Sequence, residues 1–206
     1  MARTGPVTRD TTTIALGLAQ IRVAAVDKTP ETGNIHKNTP VLTSDDSIGA
    51  LAKTTFTSNV EYWRLTSGFP ALEDMVVPLS ETATMEVQFK EISPYNLALA
   101  KGLDPTDLKE TPHKGTIALG SVKAPDYVRM EAHYTFPDGT NTMDIIFPRA
   151  QVSSSTELDF QAEDNANPSM TFEAKRADSE VEGGNAVWNT MPLGCIVFND
   201  GSSLGG

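Results

Sequence analysis

Hydrophobic and polar positions alternate most regularly in residues 128–149, VRMEAHYTFPDGTNTMDIIFPR. Two alternating runs flank a Pro-Asp-Gly sequence, and a period of two residues indicates strands with one buried face and one solvated face. Proline presets φ and glycine accepts a positive φ, so the interruption is typical of a tight turn. The segment predicts a β-hairpin, whose second strand is expected to end at Pro148 because proline cannot extend a strand ladder.

Turn-forming residues also interrupt the rest of the chain, where clusters of Gly, Pro, Asn, Asp and Ser separate short apolar or alternating runs. Such runs indicate further strands, at residues 14–26, 54–65, 82–92, 116–121, 152–162, 169–175 and 195–198. Residues 66–79 contain one Gly and two Pro and are predicted to form a loop. The prediction is one β-rich domain at 14–199, with a flexible arm at 1–13 and a flexible tail at 200–206.

One short helix is well marked near the middle of the chain. Ser93 is a favourable N-cap, Pro94 suits the first helical position, and Gly102 suits the position just after the helix ends. The helix would have barely two turns, so it needs packing against a sheet to persist.

Residues 27–53 form a long segment with many Gly, Pro, Asn, Asp and Ser residues and only scattered apolar ones. An irregular stretch of about 25 residues inside a compact domain is uncommon and is often functional. The segment is therefore predicted to be a functional loop.

The charge balance is acidic, since 27 Asp and Glu against 16 Lys and Arg give a net charge of −11. Acidity argues against a conventional nucleic-acid binder, which grips phosphates with clustered Lys and Arg, and solubility is its simplest explanation. No apolar run approaches the ~20 residues that span a bilayer, so no membrane insertion is expected. The single cysteine, Cys195, excludes an intramolecular disulfide and is expected to act as a small buried hydrophobe.

No catalytic, metal or cofactor site is predicted, and an enzyme is not expected. The three histidines lack the spacing of zinc ligands, and the glycines at 183–184 lack the Lys and the helix of a phosphate loop. No nucleophile elbow or Ser-His-Asp grouping can be nominated. Trp63 and Trp188 leave open a β-sandwich module for carbohydrate or another ligand, which requires one of them to be exposed.

Three segments carry a resemblance to a known family. Residues 89–105, FKEISPYNLALAKGLDP, end a strand and begin a short helix with a glycine stop. Residues 134–160 join the Pro-Asp-Gly hairpin to Phe-Pro-Arg-Ala, and residues 188–198, WNTMPLGCIVF, supply the closing strand. Together with the runs at 14–26 and 54–65, they resemble the major tail protein of long-tailed bacteriophages, the tail tube subunit.

The resemblance implies a β-sandwich or barrel of two packed antiparallel sheets, with one short flanking helix and a long loop. Family members form homo-hexameric rings that stack head to tail, and strands of six subunits line the channel. The implied protein is a structural component of the virion tail, assembled in the bacterial cytoplasm. Its implied partners are other copies of itself and tail proteins such as the tape measure, the tail tip and the terminator, while DNA passes transiently through the channel.

The resemblance also implies roles for particular residues. The long loop and the N-terminal arm would supply contacts between rings, and the candidate stacking residues are Asp27, Pro30, Gly33, Asp45, Asp46 and Gly49. An acidic channel wall would repel DNA phosphates and let DNA slide. The candidates for this wall, on polar faces of predicted strands, are Glu86, Glu131 and Asp144. A type VI secretion-like tube or a baseplate component of the same fold stays open as an alternative, since only the assembly context separates them.

Overall fold

The computed structural model describes residues 15–29, 31–69, 72–103, 114–120, 124–153, 157–158 and 166–200. Within that part the chain is mainly β, with seven strands and a single α-helix, so the predicted fold class is confirmed. The strands are β1 (Gln20–Ala25), β2 (Leu51–Ser67), β3 (Leu72–Phe89), β4 (Val128–Thr135), β5 (Thr142–Val152), β6 (Ser169–Ala174) and β7 (Cys195–Asn199), and the helix is α1 (Pro94–Ala100). The predicted N-terminal segment at 1–13 and the tail after residue 200 lie outside the described residues.

All strand pairs are antiparallel, and the strands follow the order β1-β4-β5-β6-β3-β2, with β7 added beside β5. The two ends of this order approach each other. Ser47, just before β2, forms a bridge with Arg22 of β1, and the Ile48 amide donates to the Ile21 carbonyl at 3.0 Å. One curled sheet therefore closes on itself, and the barrel form of the prediction describes the topology better than two separate sheets.

The main core lies inside this curled sheet. Each of β1, β3, β4, β5 and β6 turns alternate side chains inward, as the two-residue period of a strand requires. Their buried side chains include Val23, Val87, Met130, Phe147 and Phe172. Phe56 of β2 packs against them, with its ring centroid 6.3 Å from that of Phe147.

The predicted helix and both of its caps are confirmed. The Ser93 hydroxyl accepts a hydrogen bond from the Asn96 amide at 3.1 Å, and Pro94 begins the helix. Gly102 follows the helix end with a φ of 70°, a value that glycine adopts without strain. The buried side-chain amide of Asn96 donates to the Ile48 carbonyl at 2.9 Å and to the Glu91 carbonyl at 2.7 Å. The helix is thus fixed to the segment that precedes β2.

The hairpin at 128–149 is present as β4 and β5, but two expectations about it are wrong. Pro148 does not end β5, because it lies between the part of the strand that pairs with β7 and the part that pairs with β6. The expected solvated face of β4 is also wrong, because Arg129 and Glu131 are buried. Both faces of β4 are therefore covered from Val128 to Ala132.

Several predicted boundaries also change. Residues 66–79 were expected to be a loop, yet most of them belong to β2 and β3, and Pro78 is accommodated beside a bulge where the ladder is already interrupted. The first strand begins only at Gln20, since Gly17 bends the chain with a φ of 98°. Residues 116–120 form no strand in the described part of the chain, and most of the expected strand at 152–162 lies outside it.

Candidate assembly surface

The hairpin of β2 and β3 has strands of 17 and 18 residues, and its two halves lie in different surroundings. Near the barrel, β3 is flanked by β6 as well as β2, but β6 pairs only with Thr84 to Gln88. Beyond that point the two strands continue as a two-stranded ribbon. We call residues 60–67 and 72–81 of this ribbon the arm.

The face of the hairpin that points away from the core is polar near the barrel and apolar in the arm. In the barrel half, Phe56 and its partner Met85 face the core, while Thr57 and its partner Thr84 lie on the opposite face. Alternation along β2 continues unbroken, so that opposite face reaches the arm. There it becomes apolar, and we call this surface the outer face of the arm, formed by Trp63, Leu65, Leu72, Met75 and Val77.

The arm exposes an unusual amount of apolar surface. Trp63 is 46% exposed and Leu72 is 66% exposed. The exposed large apolar side chains of the arm and its tip are Tyr62, Trp63, Leu65, Phe69, Leu72, Met75, Val76 and Leu79. Soluble monomers rarely expose contiguous apolar patches beyond a few hundred Å². The arm is therefore a candidate contact surface.

The backbone edges of the arm are also unused. Among the described residues, β2 pairs in the arm only with β3, and β3 pairs there only with β2. An edge of this kind presents unpaired backbone donors and acceptors that favour pairing with another chain. Bulges at Leu79 and Asp74 interrupt the ladder, and bulges of this kind bend a strand and increase its local twist.

A second exposed apolar surface lies on β7. Ile196 pairs with Ile145 and Phe198 with Met143, and directly opposed side chains share one face of a sheet. Ile145 belongs to the main core, so Ile196 and Phe198 continue the core face beyond the barrel. Phe198 is 68% exposed. We call Ile196 and Phe198 the β7 patch.

A shallow groove borders the β7 patch. Its volume is about 240 Å³, and its lining includes Phe56, Phe147, Leu193 and Ile196. The groove joins the base of the hairpin to β7, so the apolar surface of the β7 patch is continuous with the core.

The predicted functional loop has regular local structure in its described part. Two 3-10 helices, Asn34–His36 and Ser44–Asp46, organise it, and residues 31–48 lie over the polar face of β4. We call residues 31–48 the covering loop. The predicted end of the loop at residue 53 is wrong, because β2 begins at Leu51.

A buried ion pair fixes the covering loop to β4. The Arg129 guanidinium lies 2.7 Å from the Glu131 carboxylate, and both side chains have no exposed surface. Arg129 also donates to the carbonyls of Asn34, Lys37 and Thr39. Burial lowers the pKa of Arg129, and the Glu131 carboxylate acts in the opposite direction.

The Glu131 carboxylate completes this arrangement by accepting from two backbone amides of the covering loop. The Val41 amide donates at 3.0 Å and the Leu42 amide at 2.9 Å. A buried charge is tolerated when it is paired and its remaining hydrogen bonds are satisfied, as they are here. The polar residues of β4 thus hold the loop in place.

A smaller second core holds the other side of the covering loop. Trp188, with 0% exposure, packs with Ile35, Ile146 and Ala177, and its indole nitrogen donates to the Ile35 carbonyl. Trp188 therefore offers no surface for a sugar ring. Trp63 is exposed, but it is not among the residues that line the groove beside the β7 patch.

Two of the three residues expected to line a channel lie inside the subunit. Glu131 is bound beneath the covering loop, so its expected channel-lining role is wrong. Asp144 is 1% exposed, lies 2.6 Å from Nδ1 of His133 and accepts from the side-chain amide of Asn199 at 3.3 Å, so the same correction applies to it. Glu86 is partly exposed on the polar face of β3 and stays a candidate.

The candidate stacking residues have local structural contacts. Asp27 accepts from the Thr29 amide and hydroxyl, contacts that lower its pKa, and Asp46 closes a capping box with Thr43. Gly33 is buried where a Cβ would collide with the backbone of Asp27 and Thr29. The remaining positions are exposed Asp45, Gly49 beside the Glu91 carboxylate, and Pro30, which lies outside the described residues. Their role in stacking stays a prediction.

Other chemistry is sparse in the described part of the chain. It holds no group of three or more His, Cys, Asp or Glu side chains arranged for a metal ion. It holds no helix that is long and apolar enough to cross a membrane. Cys195 is half-buried against the second core, and burial raises its pKa.

The arm was missed as a surface by the sequence reasoning, although a signal was present. Around Trp63 and around Val77, apolar residues occupy consecutive positions, in VEYWRL and MVVPL, instead of alternating. A strand that is apolar on both faces is expected to be buried on both. Among the described residues no second layer covers it, which indicates a surface available for a contact with another chain.

Comparisons with known proteins give distant structural likeness only. No family model matches the chain, and no curated protein matches it in sequence. One similar solved structure is the cap that terminates the tube of the anti-feeding prophage, with a TM-score of 0.40, 9% identity and 96% of each chain covered. Another is a chain of the sheath–tube complex of an extracellular contractile injection system, PVC, in the extended state. Its TM-score is 0.37 at 11% identity, with 81% of this chain and 91% of that chain covered.

Proposed function

We propose that this chain is a structural, non-enzymatic subunit of a phage tail tube. In this proposal, six copies form a ring, rings stack into a tube, and DNA passes through the channel during ejection. Tail partners such as the tape measure, tail tip and terminator act on the assembled tube, which belongs to the virion. The arm is the observation that carries the proposal, because its apolar surface and its backbone edges need a partner.

Two properties of the arm favour assembly over ligand binding. Its exposed side chains lie along a ribbon rather than around a cavity, whereas small-molecule sites are concave. Its unpaired edges offer main-chain hydrogen bonds that a neighbouring strand satisfies and a sugar does not. These properties support a repeating protein–protein contact.

The acidic composition supports the proposed passage of DNA. A net charge of −11 disfavours lasting contacts with phosphates, and Glu86 keeps its proposed place on the channel wall. Replacing Glu86 with Lys is expected to slow DNA ejection while leaving assembly intact. Normal ejection from the variant phage would remove Glu86 from the wall.

The proposal is tested by negative-stain electron microscopy of the purified full chain across a concentration series, with and without tail-tip extract as a seed. Six-fold rings or hollow tubes are the expected result. Monomers at every concentration, seeded samples included, would overturn it.

In the same experiment, the tail-tip extract distinguishes the proposed phage tail tube from a type VI secretion-like tube or a baseplate component. A phage tail subunit is expected to extend from a phage tail tip. Assembly that ignores the tail tip and responds only to a secretion-system baseplate would favour that alternative. Sugar-dependent quenching of Trp63 fluorescence in a persistent monomer would favour the ligand-binding module.

A further inference from the structure

The arm and the β7 patch are two unpartnered apolar surfaces on the same subunit. In the described residues β2 pairs only with β3 along the arm, and β7 pairs only with β5. The two surfaces belong to strands that are not neighbours in the sheet. Each therefore lacks a cover among the residues that the structure describes.

We propose that the outer face of the arm packs onto the β7 patch of the next copy of the chain, in a head-to-tail contact. The proposal rests on the proposed function and names the surface through which copies join. The occupant of the β7 patch is thus the arm of a second, identical subunit.

The extent of the apolar surface supports a subunit contact. The outer face of the arm presents five apolar side chains, and the β7 patch adds two large ones beside a groove of about 240 Å³. Four of the side chains on the outer face of the arm, and both on the β7 patch, are among the exposed large apolar residues. Contiguous exposed apolar surface is rare in soluble monomers and typically marks a site of protein–protein contact.

Symmetry favours a head-to-tail contact over a two-fold one. If two arms packed on each other, the dimer would close and each β7 patch would stay exposed. A head-to-tail contact uses one arm and one β7 patch from every subunit, and so covers both surfaces at once. Repeated, it generates a ring or an open filament.

Chemical cross-linking of the full chain tests this contact. In a Cys195→Ser background, Leu65→Cys labels the outer face of the arm and Phe198→Cys labels the β7 patch. The two proteins are mixed and treated with a short bis-maleimide. A linked dimer containing one of each variant is expected at ten-fold or greater yield over either variant alone, identified by mass spectrometry of the joined peptides.

Thr57→Cys supplies the matched control, because Thr57 lies on the same face of β2 as Leu65 but in the barrel half. It is expected to give no linked product with Phe198→Cys. Dimers linked through two Leu65→Cys arms would overturn the proposal in favour of a two-fold contact. Absence of any mixed product would overturn it as well.

Electron microscopy of the same mixtures separates this inference from the proposed function. Rings or tubes without the mixed product would leave the tube function standing and reject the contact. A mixed product in filaments that never form rings or tubes would retain the contact and reject the tube.

Discussion

The covering loop and the arm reverse the usual positions of charge and apolar surface. Beneath the covering loop, Arg129 and Glu131 are charged and fully buried. In the arm, Trp63 and Leu65 are apolar and exposed. The two buried charges have partners inside the chain, since carbonyls and amides of the covering loop form hydrogen bonds with both. The exposed apolar side chains of the arm have no cover among the described residues.

The difference separates stability from assembly in this molecule. Residues that face the covering loop are expected to control folding, because removing one leaves buried groups without partners. Residues on the outer face of the arm are expected to control association and to leave the isolated subunit unchanged. The predictions below test that separation, beginning with the largest expected effect.

Matched substitutions of the two tryptophans give the largest contrast. Trp188→Ala is expected to lower the free energy of unfolding by about 4–5 kcal/mol, because it leaves a large cavity in the second core. It also removes the hydrogen bond to the Ile35 carbonyl. Trp63→Ala is expected to change that free energy by less than about 0.5 kcal/mol, as exposed substitutions do. Urea unfolding of the dilute proteins measures both.

Assembly of the same two variants supplies the second half of that test. Trp63→Ala is expected to raise the concentration needed for assembly, measured by sedimentation velocity. A Trp63→Ala protein that unfolds as readily as Trp188→Ala would show that the arm is part of the folding unit.

Two glutamates that look alike in sequence give the next contrast. Glu131→Ala is expected to cost about 3–4 kcal/mol of unfolding free energy, because it leaves the buried Arg129 without its counter-charge. The loss is limited since Arg129 keeps three carbonyl acceptors. Glu86→Ala, on a partly exposed strand face, is expected to change stability by less than about 0.5 kcal/mol. Equal losses in urea unfolding would contradict the assignment of Glu131 as the anchor of the covering loop.

The smallest expected effect concerns an ion pair at the barrel surface. The Lys175 ammonium lies 2.6 Å from the Glu173 carboxylate and holds the pKa of Glu173 below its ordinary value of 4.5, helped by the Ser153 hydroxyl. A depressed carboxyl pKa adds stability above the unfolded-state value, and this stability is lost as pH falls through the folded-state value. The contribution is expected to be less than about 1 kcal/mol because the pair is partly exposed and screened.

The glutamine variant isolates that contribution. Glu173→Gln is expected to be slightly less stable than the parent protein at pH 7, and the difference is expected to disappear as the pH falls through the folded-state pKa of Glu173, because the carboxyl is then protonated. Urea midpoints measured from pH 7 to pH 2.5 show the difference. A constant difference across that range would mean that the carboxylate charge of Glu173 contributes nothing.

Local signals predicted the parts of the fold that depend on neighbouring residues. Ser93, Pro94 and Gly102 marked both ends of α1, because caps act within a few positions. The Pro-Asp-Gly turn placed the hairpin of β4 and β5 for the same reason, with Gly139 at a φ of 73°. Alternation correctly indicated strands over most of their lengths.

Beyond errors in element boundaries, the errors that affect function concern contacts between distant residues. Arg129 and Glu131 occupy positions that alternation assigns to solvent, and only a loop some ninety positions earlier in the chain buries them. Trp188 was ambiguous for the same reason, since its partner Ile35 is 153 positions away. No local pattern reports such contacts, so neither the cover of β4 nor the loss of two channel candidates was predictable.

Because the chain is synthesised from its N-terminal end, contacts between widely separated residues form later than contacts between neighbouring residues. The hairpin of β2 and β3 depends on contacts between nearby residues, so it is expected to form early, while the rest of the chain is still being made. The covering loop can form its contact with Trp188 only after residue 188 has been synthesised, and β7 is the last described strand to be made. A nascent subunit thus displays its arm before it has completed a strand on which another arm could pack. While β7 is still unsynthesised, the proposed contact through the β7 patch cannot form, so association of this kind is expected only after β7 has been made.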